Sequence, residues 1–346
     1  MLIIGCDFHS RFQAVAMLDS ETGEFVSRRL EHSNDEVRKF YAELPSPALV
    51  GIESTGYTPW FAELLSELGH ELVVGNAAKI RASETRKQKY DNRDAHHIME
   101  LLAEGRFPRI WLPKAEERNV RVLLHHRQSL VEMRTRVKNG LQALALGRNL
   151  CLGRKLWTQA GQEAFNALPL GKGGTRRRQD LLKLEEQLSG WIRELDGSLK
   201  QEVEKRPEAQ RLQTHPGVGP LTALAMTVVL GPAERFANGR KVASYIGLIP
   251  GEYSSGGRQH FGHLTKQGNR LLRFLLIEAA QSACRYDVEL KQDYKRMAFR
   301  HGWAKARVAV ARKLAIRLFI LLRDGIDYTE FVRRGSHAGM PGLRLV

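Results

Sequence analysis

Four carboxylates in the early part of this 346-residue chain carry the residue types and spacing of a reactive centre. Asp7 ends the apolar run that starts at Leu2, Glu53 directly follows the run Ala48 to Ile52, and Asp91 and Asp94 lie three apart in a helix-forming stretch. An i,i+3 spacing puts both side chains on one helix face. Four converging carboxylates repel one another, so their convergence requires divalent cations, and oxygen-only donors favour Mg2+ or Mn2+. Two such ions about 4 Å apart stabilise both the attacking and the leaving oxygen of a phosphoryl transfer. Each acid also has a purely structural reading. Asp7 would cap a turn with His9 and Ser10, Glu53 would open a helix before Ser54-Thr55-Gly56, and Asp91 and Asp94 would be N-terminal helix charges paired with Lys87 or Arg93. The fold decides between these readings by bringing the distant positions together or leaving them apart.

The runs Leu2 to Cys6, Phe12 to Leu18 and Glu24 to Leu30, with Ser20, Thr22 and Gly23 as turn residues, predict three antiparallel strands. Ser33 and Glu36 form a capping-box pattern for a helix reaching about Leu44, which Pro45 and Pro47 stop. A fourth strand follows at Ala48 to Ile52, then a helix over Pro59 to Leu68, a fifth strand at His70 to Gly75, and a helix from Asp91 to Glu104. Three strands followed by alternating helices and strands is the order of an RNase H-like (RuvC-like) α/β domain, here residues 1–112, although a generic doubly wound domain starts similarly. In the RNase H-like sheet the fourth strand lies beside the first. Asp7 and Glu53 then emerge next to each other, and a helix over the strand ends adds Asp91 and Asp94.

Residues 113–206 are long, charged and helix-forming, with apolar seams at Val120, Leu123, Leu130, Val137, Leu141 and Leu144 and at Leu181, Leu184, Leu188, Trp191 and Leu195. The first seam admits Arg127 and Arg134 at two positions. An antiparallel or intermolecular coiled coil satisfies both seams, and so does an ordinary helical domain. Gly171, Gly173 and Gly174 before Arg176, Arg177 and Arg178 predict a flexible tip. It is not a phosphate-binding Walker loop, since Asn166 replaces the first glycine and no Gly-Lys-Ser/Thr closes it.

Residues 207–346, mainly helical, form the third region. Pro216-Gly217-Val218-Gly219 before the apolar helix from Leu221 has the form of a helix-hairpin-helix turn, in which Gly217 and Gly219 let backbone amides approach phosphate; a tight structural turn uses the same letters. Tyr253-Ser254-Ser255-Gly256-Gly257-Arg258 is a hydroxyl-rich loop, and a serine there needs a base or a metal to act as a nucleophile. Lys266, Arg270 and Arg273 are candidate phosphate grips, with a solvated helix face as the alternative. His96-His97 and His125-His126 lack a metal-binding helix spacing.

Charge supports a polyanionic partner. The chain holds 54 Lys plus Arg against 38 Asp plus Glu, a balance of +16 with pI near 10.0. Residues 1–80 carry −6, residues 81–253 carry +11 and residues 254–346 carry +11, so the positive field belongs to the later regions and cations suit the first. Leu221 to Leu230 and Leu314 to Leu322 are too short for a membrane span. Asp7 interrupts the opening run too early for a signal peptide, and Cys6, Cys151 and Cys284 form no CxxC pair, so a cytosolic protein without structural zinc is expected.

Separated strings in the first and last regions carry a resemblance. Gly247-Leu248-Ile249-Pro250, Glu252 to Gly257, and Thr265 to Arg270 with Leu272-Arg273 and Leu276 to Ala280 resemble the C-terminal domain of the DEDD insertion-sequence transposases of the IS-one-ten family. Gly5-Cys6-Asp7, Gly51 to Gly56 and Asp91 to Ala95 look like that family's RuvC-like acidic domain. The resemblance implies a bacterial, nucleoid-associated DNA recombinase in which Asp7, Glu53, Asp91 and Asp94 hold Mg2+ or Mn2+. It further implies that a serine, Ser255 ahead of Ser254, attacks the DNA backbone to give a phosphoserine. A noncoding bridge RNA that guides donor and target choice, and a homotetramer on two double-stranded DNA molecules, are implied as well. Competing readings are a RuvC-like nuclease or junction resolvase using water, an ASKHA-type nucleotide-binding kinase, and a catalytically silent nucleic-acid scaffold. The basic C-terminal region and missing phosphate loops argue against the kinase.

Overall fold

The computed structural model describes residues 1–84, 91–253, 258 and 260–335. The chain is mixed α/β and mostly helical, and it divides into two compact units, Met1–Leu112 and Pro113–Val346. The first comprises β1 (Leu2–Phe8), β2 (Phe12–Asp19), β3 (Phe25–Glu31), α1 (Glu36–Ala42), β4 (Leu49–Glu53), α2 (Pro59–Glu67), β5 (Glu71–Gly75), α3 (Ala77–Ser83) and α4 (Asp91–Ala103). Its strands form one mixed sheet in the order β3-β2-β1-β4-β5. β1, β2 and β3 pair antiparallel, and β4 pairs parallel with both β1 and β5.

Strand alternation assigns the two faces. Ile4, Cys6, Val50 and Ile52 face an apolar cluster with Phe40, Tyr41, Phe61 and Leu65 of α1 and α2. Ile3, Ala14, Ala16 and Val73 face the other way, onto Ala95, Ile98, Met99 and Leu102 of α4. A sheet covered on both faces reads as continuous apolar runs, which is why β1 and β4 stand out in the sequence. The helix predicted from Ser33 begins later. Asp35 takes a left-handed conformation (φ 55°), and the Glu36 carboxylate accepts from the Glu31 N–H at 2.8 Å in place of a capping box.

The second unit comprises α5 (Ala115–Leu146), α6 (Gln159–Asn166), α7 (Lys172–Glu204), α8 (Pro207–Gln213), α9 (Pro220–Leu230), α10 (Gly239–Ile246), the hairpin β6 (Pro250–Glu252) and β7 (Phe261–Leu264), α11 (Arg270–Tyr286), α12 (Val288–His301), α13 (Trp303–Asp324) and α14 (Tyr328–Arg334). α5 and α7 run antiparallel, joined by the pairs Arg127–Asp196 at 2.9 Å and Lys138–Glu185 at 3.2 Å. Arg127 is thus tolerated on the expected seam because an acid faces it. The buried stripe of α7 runs through Leu188, Ile192, Leu199 and Val203, while Leu184 and Trp191 are exposed. Leu156 and Phe165 join α5 and α7 in one cluster, so the stripe faces three partners rather than one. Further along, Val120, Leu124, Leu199 and Val203 enter a larger cluster with α8 to α14. The glycines predicted as a flexible tip are instead ordered: Gly173 and Gly174 lie in the first turn of α7. Among the described residues no helix is long and apolar enough to cross a membrane.

Candidate active site

Asp7 and Glu53 occupy the C-terminal ends of adjacent parallel strands. The register pairs Cys6 with Ile52, one residue before each acid. Counting back by two from Asp7 reaches Gly5, and from Glu53 reaches Gly51, so both acids belong to the sheet face covered by α4. The cause of the close packing is Gly5. A Cβ there would stand 2.1 Å from the Ala95 carbonyl oxygen and 2.4 Å from the Met99 nitrogen, so only glycine lets the α4 backbone lie on β1. Asp94 directly precedes Ala95 and is half-buried at this crossing. Asp91 opens α4, and its side chain lies outside the described atoms.

Polar neighbours orient both strand-end acids. His9 Nε2 lies 3.1 Å from Asp7 Oδ2, and the Thr55 hydroxyl donates to Glu53 Oε1 at 2.9 Å. Arg81 Nη2 stands 3.7 Å from the same Glu53 oxygen, a loose and exposed pairing. Thr55 and Arg81 are absent from the sequence-predicted set; Thr55 had a local signal in Glu53-Ser54-Thr55, whereas Arg81 had none. In donor chemistry Asp7, Glu53 and Asp94 suit a hard divalent cation. Among the described residues, no three His, Cys, Asp or Glu side chains are grouped closely enough to share one.

In the second unit the strings around Gly247 and Gly268 fold onto one another. Gly247 (φ 76°) and Gly268 (φ 75°) interlock: a Cβ on the first would stand 2.1 Å from the Gln267 oxygen, and on the second 2.0 Å from the Tyr245 oxygen. Arg273 Nη1 donates to the carbonyls of Ile246 at 2.9 Å and Gln267 at 2.6 Å, fastening the two turns together. Burial and the neighbouring Arg270 charge lower the pKa of this guanidinium. Asn269 caps α11 by accepting from the Leu272 N–H at 2.8 Å, leaving Lys266 and Arg270 exposed beside that helix start. The segment joining β6 to β7 carries Ser254 and Ser255, which lie outside the described residues; Arg258, on the same segment, is exposed. The hairpin closes below it with the Tyr253 N–H donating to the His260 oxygen at 2.9 Å.

The Pro216–Gly219 turn joins α8 to α9. Gly217 packs inward, where a Cβ would stand 2.3 Å from the Ala283 nitrogen of α11, while Gly219 is exposed with open space around it. A network with no local sequence signal supports this turn. Asp287 is buried, accepting from the Leu290 N–H at 2.8 Å and the Tyr328 hydroxyl at 2.6 Å and pairing with Arg317 at 2.5 Å. Burial pushes the Asp287 carboxyl up, but these donors and the Arg317 charge outweigh it and hold it below its ordinary value. Burial and the hydrogen bond to Asp287 push Tyr328 up to about 12. His215, its ring 4.6 Å from that of Tyr328, is driven down to about 4 by burial.

Comparison with known proteins matches both ends of this arrangement. A DEDD-type family model described as a transposase matches residues 4–147, and the model of the "Transposase IS116/IS110/IS902 family" matches residues 209–295. The chain is 30% identical over 255 residues to the transposase for insertion sequence element IS1111A of Coxiella burnetii, covering 68% of this chain and 67% of that one. It is 29% identical over 291 residues to a probable family 20 transposase of Pseudomonas aeruginosa, covering 82% and 84%. With the transposase for insertion sequence element IS1328 of Yersinia enterocolitica it shares 27% over 316 residues, covering 87% and 91%.

Proposed function

We propose, since this chain belongs to the IS110 family of DEDD transposases, that it cuts and exchanges DNA strands by pairing a metal-binding carboxylate set with a serine nucleophile. The observation that carries this reading is the neighbouring of Asp7 and Glu53 on the face that Gly5 brings against α4. The strand order β3-β2-β1-β4-β5 supports an RNase H-like origin for the unit. Asp7, Glu53, Asp91 and Asp94 would hold the divalent ion that a DEDD domain implies, with magnesium or manganese suited to the donors. A bound ion supplies positive charge for the oxygens of the reacting phosphate. His9 and Thr55 keep the Asp7 and Glu53 carboxylates oriented.

Ser255, with Ser254 as the alternative, displaces a deoxyribose oxygen from phosphorus. The new P–Oγ bond holds one strand as a phosphoserine while the serine proton is lost and the departing oxygen gains one. Lys266, Arg270 and Arg258 are exposed cations suited to phosphate, and Gly219 offers backbone at the start of α9. Arg273 serves this surface by fastening the turns that carry it. Residues 113–206 act as the helical spacer and residues 207–346 as the serine-bearing domain. The same reading includes a noncoding bridge RNA and a homotetramer on two duplexes, tested by sequencing co-purifying RNA and by light scattering of the DNA-bound complex.

Asp7→Ala and Asp94→Ala are the decisive variants for the acids. Each is expected to bind DNA as the parent does and to lose strand cleavage; cleavage retained in either contradicts the assignment.

A further inference from the structure

The corner between α12 and α13 presents two large aromatic side chains to solvent: Phe299 is 92% exposed and Trp303 66% exposed. They stand four residues apart around Gly302, whose backbone (φ 82°) turns the chain from one helix into the next. Trp303 leans on the half-buried Tyr294 ring at 5.8 Å, so its indole has a fixed support and a free outer face. The chain that carries the rings is strongly basic. From Tyr294 to Arg323 the chain has nine Lys or Arg residues and no Asp or Glu. Arg296 and Lys313 pair with Asp293, and Arg317 is held by Asp287, but Arg300, Lys305 and Arg307 form no ion pair among the described residues. No side chain caps the first turn of α13, and no acid lies in it.

Exposed aromatic faces interleaved with unpaired cations are the means by which proteins hold an unpaired nucleic-acid strand, the rings stacking on bases and the cations meeting phosphates. A duplex hides its base faces and offers the rings nothing. A protein partner for this corner would have to be strongly acidic, whereas an unpaired strand satisfies the rings and the charge at once. We infer that the α12–α13 corner is a stacking platform for single-stranded DNA, the form that strand cleavage and exchange expose. Phe299 and Trp303 stack on successive bases, and Arg300, Lys305 and Arg307 contact the intervening phosphates. The inference rests on the transposase reading only for the choice of DNA.

The test is a binding titration of the full-length protein with a fluorescein-labelled oligothymidylate of about 12 nucleotides, within the usual range of site sizes, followed by anisotropy in the absence of divalent ions so that cleavage plays no part. Phe299→Ala and Trp303→Ala are each expected to weaken binding roughly tenfold, with Trp303→Phe close to the parent. The double variant Arg300→Gln/Lys305→Gln is expected to lower the slope of log affinity against log salt by about 0.7 per lost phosphate contact. Affinity for a blunt duplex of the same length is expected to be unchanged by the aromatic substitutions. Parental affinity for the strand in Phe299→Ala/Trp303→Ala overturns the inference. So does a loss seen with oligouridylate but not oligothymidylate, or a changed sedimentation coefficient in place of changed binding. Because the readout needs no cleavage, an inactive parent would count against the transposase chemistry and leave this result standing.

Discussion

Gly5→Ala is the smallest change that separates α4 from β1. The added methyl would meet the Ala95 oxygen at 2.1 Å, and ordinary contact begins near 3.4 Å, so α4 must retreat by about 1.3 Å at the crossing. Both obstructing atoms belong to backbone, so no side-chain rotation relieves the clash. Overpacking of this kind costs about 1–3 kcal/mol, a fraction of the roughly 5–15 kcal/mol by which folded domains are stable. The retreat moves Asp94 relative to Asp7 and Glu53, and a displacement of about 1 Å in a reacting constellation costs on the order of 100-fold in rate. Strand cleavage of a labelled donor DNA should therefore fall about 100-fold, with circular dichroism and DNA affinity retained. Gly51→Ala is the control. Its methyl meets the Leu102 Cδ1 atom at 2.5 Å, the end of a flexible side chain, and a far smaller loss is expected. Parental cleavage by Gly5→Ala, or an equal loss in both variants, would refute the claim that the glycine positions α4 for chemistry.

Three further outcomes follow from the second unit. Arg317→Met strands the buried Asp287 carboxylate, and removing one partner of such a pair costs about 3–5 kcal/mol, measurable by chemical denaturation. His215 is held neutral, with its pKa near 4 against an ordinary 6.5, so between these values the unfolded chain binds more protons than the folded one. Stability is therefore complete above pH 6.5 and falls as pH drops toward 4, by about 3 kcal/mol at most; His215→Gln should flatten that window in melting curves. Arg273→Gln removes the guanidinium from the Ile246 and Gln267 carbonyls, with a loss of about 1.5–3 kcal/mol. Unchanged proteolytic sensitivity of the 247–270 segment in that variant would speak against the fastening role.

The strands were legible because β1 and β4 are apolar on both faces, and the parallel placement of β4 beside β1 followed from the order of elements. Three features were less legible. Gly5 in a strand reads as a weak point, and only the packed α4 shows that it is a contact. The α7 stripe was displaced to Ile192 because α6 supplies a third packing partner that heptad counting does not include. Gly173 and Gly174 suggested flexibility, yet both lie in the first turn of α7, which the Thr175 N–H closes by donating to the Gly171 oxygen at 2.9 Å. The His215–Tyr328–Asp287–Arg317 network joins residues more than 100 positions apart, so no local spacing could announce it.

The serine chemistry is tested most directly by trapping the protein on DNA. With a labelled donor strand and magnesium, denaturing electrophoresis is expected to show a protein–DNA adduct that withstands detergent and heat, and Ser255→Ala is expected to abolish it while Ser254→Ala keeps it. Loss in Ser254→Ala alone would move the nucleophile by one residue. Cleavage by the parent protein with no adduct at all would make water the nucleophile and contradict the account.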